Sequence, residues 1–134
     1  MSKYEPTVEL IMMLIEVKEY SAAANVELAF VDSFEGCADL IAAEILKSSR
    51  SGNYHRLENL VTDIKDAIAF HHQWELDVTQ ILLQDTHQNR DVDCLKQALA
   101  QTRNVRRSLG HQVVVASSSL NINSAVSTTE TRRN

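Results

Sequence analysis

The sequence predicts an all-α protein: an antiparallel bundle of three to four helices with long, coiled-coil-like members and a flexible C-terminal tail. Three observations carry that prediction. The 134 residues hold only three Gly and one Pro, too few for the turns of sheets or for glycine-rich phosphate loops. Residues Leu57, Leu60, Ile64, Ala67, His71, Trp74, Val78 and Ile81 recur at spacings that alternate three and four, and only His71 among them is not apolar. That period belongs to one face of a helix. Finally, 44% hydrophobic and 23% charged residues suit one domain with its own core, and the length is too short for two.

Taken in chain order, Pro6 fits the first turn of a first helix, with Glu5 or Thr7 near its cap. Leu10, Leu14 and Val17 make one row, and Ile11, Ile15 and Ala22 another. A second stripe runs through Val26, Phe30, Phe34 or Cys37, Ile41 and Ile45. A break or kink near residues 21–25 divides this region into two helices of ordinary length. Ala22, Ala23 and Ala24 favour continuity instead, so one helix over 7–48 stays open beside it. Gly36, inside the second stripe, is expected where two helices pack closely.

Ser51, Gly52 and Asn53 supply a break and an N-cap for the helix that carries the long seam, expected from about Asn53 to His87. Val61, Ile68 and Leu82 widen its stripe. At ~1.5 Å per residue it is about 50 Å long, more than a compact sphere of this size needs. Residues 86–90 form the turn into a last helix opening at Asn89 or Asp91. Its buried side is Leu95, Ala98, Leu99, Thr102, Val105 and Leu109, and Gly110 is expected to terminate it. Residues 113–115 read as a final apolar clip or a short strand. The domain then spans 1–116, and 117–134, rich in Ser, Thr and Asn, reads as a polar tail.

The early apolar run, residues 10–15, is too short for an export signal or a membrane span. Cys37 and Cys94 lie among apolar residues and read as small buried hydrophobes in a reducing compartment, which places the protein in the cytoplasm. The net charge of −5 is unevenly spread: residues 1–50 carry four Lys/Arg against nine Asp/Glu, and residues 89–111 carry five against two. An acidic body repels a phosphate backbone, so nucleic acid is not the expected partner. Arg103, Arg106 and Arg107 read as cations complementing a helix C-terminus.

No His is preceded three residues earlier by Glu, no two His stand four apart, and the cysteines are unpaired. The usual helical-bundle and zinc spacings are therefore missing, and no metal or cofactor is expected. His71 is the one polar residue in the seam. It reads either as a partner-specifying group at an interface or as a core His paired with Glu75 one turn on, while His72 faces solvent.

Arg106 and His111, separated by four residues, resemble the motif of HEPN-type ribonucleases, a helical-bundle family. In that family an Arg and a His near a helix end act on the RNA phosphodiester. The resemblance implies that Arg106 would stabilise phosphate charge and His111 move a proton. Arg50 and His55 repeat the spacing, and Arg107 stands where the family carries a polar residue, often Asn.

Two functions follow. The first is a noncatalytic protein-binding module, a small adaptor, chaperone or regulator that occludes a partner or a second copy of itself. Its expected contacts are His71, Trp74, Val78 and Ile81, with Trp74 as an anchor where exposed. The alternative is a metal-independent ribonuclease or toxin–antitoxin component using Arg106 and His111.

Overall fold

The computed structural model describes residues 3–84 and 90–133, with side chains described through Asn121. All regular structure among them is helical: α1 (Glu5–Glu16), α2 (Tyr20–Glu27), α3 (Ala29–Ser51), α4 (His55–Leu83) and α5 (Arg90–Arg133). The all-α expectation holds. Helices α2 to α5 pack on one another, and α1 lies along α2.

Pro6 sits in the first turn of α1 as the sequence implies. The break that follows comes earlier than residues 21–25, because Ala22, Ala23 and Ala24 are inside α2. It is made by Lys18, whose φ of 61° is left-handed without help from glycine. The Glu19 N–H reaches back to the Leu14 carbonyl (2.8 Å) and the Lys18 N–H to that of Ile15 (3.0 Å). This is the paired bonding of a Schellman stop, which satisfies carbonyls that the helix end would leave open. A second, softer break falls at Leu28, which keeps helical angles (φ −62°, ψ −17°) while ending α2 and opening α3. It is a kink rather than a turn.

The α3–α4 corner is closely as expected. Gly52 adopts φ 73°, and its N–H donates to the Ser48 carbonyl at 2.8 Å. The Asn53 side chain accepts from the His55 N–H at 3.1 Å and so relieves one orphan amide at the start of α4. The chain reverses here, which places Phe34 of α3 against His71 of α4, ring centroids 5.5 Å apart. Residues 86–90, expected to turn into the last helix, are outside the described residues except Arg90, which begins α5. Helix α5 runs antiparallel to α4: Arg103 meets Glu75, and Arg106, one turn on, meets His71, one turn back.

Both interior glycines correct the sequence reading. Gly110 does not stop a helix, since α5 continues through it to Arg133. A lone glycine lowers helix propensity by about 1 kcal/mol, and buried Leu109, Val113 and Ala116 outweigh that by packing on the bundle. Residues 113–115 are accordingly helical and not a strand: Val113 docks on the bundle, while Val114 and Val115 are exposed. The expected tail, 117–134, falls in the last turns of α5 and the residue after it. Gly36 marks no close packing, because a Cβ placed there would meet nothing within 4 Å.

The core is one cluster. Ile11 and Ile15 bury against α2; Phe30, Phe34 and Ile41 come from α3; Leu57, Ile64, Val78 and Leu82 come from α4; Leu95, Leu99 and Leu109 come from α5. Neither cysteine belongs to the fully buried set: Cys37 is half-buried and Cys94 exposed. Cys94 lies one step off the buried row of Val92, Leu95 and Ala98, which turns it outward. Among the described residues no helix is long and apolar enough to cross a membrane.

Candidate functional site

The seam of α4 is buried within the chain itself. His71 and Val78 are fully buried, Trp74 nearly so, and Ile81 is half-buried. Trp74 is thus not an exposed anchor. A partner could touch His71, Trp74 or Val78 only by displacing the helices that cover them, whereas Ile81 keeps some exposed surface.

What gathers around His71 is a polar chain. Glu27, at the end of α2, is fully buried, and its carboxylate accepts from His71 Nε2 at 2.7 Å and from Trp74 Nε1 at 3.0 Å. On the other side of the ring, Arg106 Nη1 donates to His71 Nδ1 at 2.8 Å. A guanidinium has only donors, so Nδ1 must present its lone pair and the proton sits on Nε2, facing Glu27. The two neighbours therefore assign the tautomer and hold a neutral imidazole. The Phe30 and Phe34 rings enclose it at 4.9 Å and 5.5 Å.

Arg106 also reaches Glu75 Oε1 (3.4 Å) and lies 3.5 Å from His72 Nδ1. Glu75 in turn accepts from Arg103 Nε at 2.9 and 3.2 Å. The network begins in the core and ends at Arg103, whose side chain is 38% exposed. Glu75 is not the partner of His71 that the i,i+4 spacing suggested. It leans toward the guanidiniums of α5, and Glu27, 44 residues from His71 in sequence, takes the imidazole. His72 is exposed, as expected from its position on the helix.

Chemically the network combines donors, an imidazole and carboxylates, but its inner half is closed. Glu27 and His71 have no exposed surface on which a substrate could be turned over. Two carboxylates meet two guanidiniums with a neutral ring between, so the formal charges balance. Removing a buried member such as Glu27 or Arg106 leaves its partners unpaired in the interior, which costs about 3–5 kcal/mol. The arrangement sets the register of α2, α4 and α5 against one another.

Arg106 and His111 are not brought together. Five residues apart on one continuous helix, they point about 140° apart. Arg106 is buried in the network, and His111 is exposed. Among the described residues no group of three or more His, Cys, Asp or Glu is placed to hold a metal ion. Compared with protein-family models, curated proteins and solved structures, the chain has no match.

The exposed surface holds a feature the seam concealed. Leu10 and Met13 of α1 and Val17, the residue that caps its end, are 45%, 64% and 67% exposed and follow one another at three and four residues. They share an outward face, opposite the buried Ile11 and Ile15. Glu5, Glu9 and Glu16 line one border of that face by the same helical geometry, and α1 contains no Lys or Arg.

Proposed function

We propose that this chain is a noncatalytic protein-binding module that receives an amphipathic helix of a partner protein on the outer face of α1. The observation behind the reading is the row of Leu10, Met13 and Val17, three large side chains turned to water at helical spacing. Full burial of such a side chain contributes about 1.5–3 kcal/mol, and a matching helix is the element whose own row fits this period. The acidic border of Glu5, Glu9 and Glu16 favours a helix flanked by Lys or Arg. It also disfavours a second copy of α1, which would bring like charges together. His71, Trp74 and Val78 serve from behind, as the frame that holds α2 and α5 in register, rather than as contacts.

The test uses a labelled 18-residue helix with a Leu row flanked by Lys, its Glu-flanked counterpart, and fluorescence anisotropy. The expected result is binding of the Lys-flanked helix, weakened at least tenfold by Leu10→Glu with Met13→Glu and absent for the Glu-flanked one. Equal binding of both helices, or no loss in the double variant while its circular dichroism is unchanged, would overturn the reading. Sedimentation supplies a second arm: a dimer of the wild type that the double variant abolishes would assign the face to self-association.

A further inference from the structure

Between α3 and α4, beside the first residues of the chain, lies a groove of about 530 Å³. That volume is within the range of small-molecule sites. Its aromatic end is Tyr4 and Phe70, whose rings stack with centroids 6.1 Å apart. Tyr4 is fixed there, since its ring also abuts Phe30 at 5.2 Å and its hydroxyl shares a 2.8 Å hydrogen bond with Ser33. Leu40, Leu60 and Ile64 supply the apolar wall, and Cys37 is part of the lining.

The polar groups of the groove point to one ligand charge. Asp63 and Asp66, one turn apart on α4, line it and are exposed. Neither makes an ion pair or hydrogen bond among the described residues. The single cation in the lining is Lys3, and its ammonium lies 5.1 Å from the centroid of the Tyr4 ring. The electron-rich face of an aromatic ring attracts cations, so the chain's own ammonium already marks the place where an incoming one would sit. Two carboxylates against one ammonium leave the groove with an excess of negative charge.

We propose that this groove binds a small organic cation, an ammonium carried on an aromatic or branched apolar body. The ammonium displaces that of Lys3 over Tyr4 and faces Asp63 and Asp66, and the apolar body lies along Leu40, Leu60 and Ile64. The site is independent of the α1 face proposed above, and either can fail without the other.

Phenyltrimethylammonium and its uncharged isostere tert-butylbenzene are the probes, read by two-dimensional NMR on the full chain and by the rate of Cys37 alkylation with iodoacetamide. Cys94, exposed on α5, is the internal control. The charged probe is expected to bind at least fivefold tighter than the neutral one and to slow alkylation of Cys37 while leaving Cys94 unchanged. Asp63→Asn with Asp66→Asn should weaken it at least fivefold, and Lys3→Gln should strengthen it at least twofold by removing the competing ammonium. All three positions are exposed, so a thermal melt suffices to verify the fold of each variant. Equal affinity for both probes, no effect of the Asn pair, equal protection of Cys94, or no binding would each overturn the proposal.

Discussion

A single carboxylate, Glu27, holds both the His71 imidazole and the Trp74 indole. Its loss is therefore felt twice. Glu27→Ala should destabilise the fold by about 3–5 kcal/mol, leaving two buried donors without an acceptor. His71→Leu should cost a comparable amount, because Arg106 loses an acceptor and Glu27 a donor. Urea denaturation monitored through Trp74 fluorescence measures both, and the double variant should lose less than the sum of the two. Additive losses would mean that the pair is not coupled as the 2.7 Å contact implies. Lys18 is a residue-scale case of opposite sign. A non-glycine residue in the left-handed region costs about 1–2 kcal/mol, so Lys18→Gly should raise stability by about 1 kcal/mol, seen as a higher thermal midpoint.

At the scale of elements, Gly36 and Gly110 sit inside helices with open space where a Cβ would go. Gly36→Ala and Gly110→Ala should each stabilise by about 0.5–1 kcal/mol, and the two should add, since the sites are on different helices and share no contact. Urea midpoints of the two single variants and the double provide the check. These glycines also show how far sequence reading reached. The α4 seam was legible because its period is unbroken over 25 residues, from Leu57 to Ile81. The Gly52 corner was legible because glycine and asparagine perform there the roles their chemistry favours. The stop after α1 was not, because a lysine took the left-handed position and nothing in its side chain announces that. Glu27 did carry a signal: Ala23, Glu27, Phe30 and Phe34 follow a four-three-four spacing, so the carboxylate interrupts an apolar row much as His71 interrupts its own. Two polar interruptions in two seams are the mark of a cross-helix pair, and the stripe through Val26 lies one residue off that row. The α1 face was hidden for a different reason. Leu10, Met13 and Val17 have the same pattern as a core row, and only the packing reveals which of the two rows on α1 is covered.

At the scale of the whole molecule, the elements are held by unlike means. Helices α2, α4 and α5 are joined by the hydrogen-bonded chain from Glu27 to Arg103 as well as by apolar packing. Helix α1 is held by Ile11 and Ile15 along its length and by the Tyr4 ring at its start. The acidic character of the first half of the chain is presented on α1 and around the α3–α4 groove, and the arginines of α5 are partly spent on Glu75. Both proposed sites thus offer an apolar surface with an anionic border, and both select a cationic visitor.

The corner at Lys18 has a consequence for the order in which the protein opens. Helix α1 packs chiefly on α2, across a stop that is itself strained, whereas α4 is gripped from several sides. Amide protons of α1 should therefore exchange with deuterium through a partial opening that leaves α3, α4 and α5 closed. Native-state exchange should show α1 losing protection several kcal/mol below the global unfolding free energy. Lys18→Gly should shift that partial opening, while the slowest amides of α4 follow the global transition. Uniform exchange across α1 and α4 would instead make the bundle a single cooperative unit.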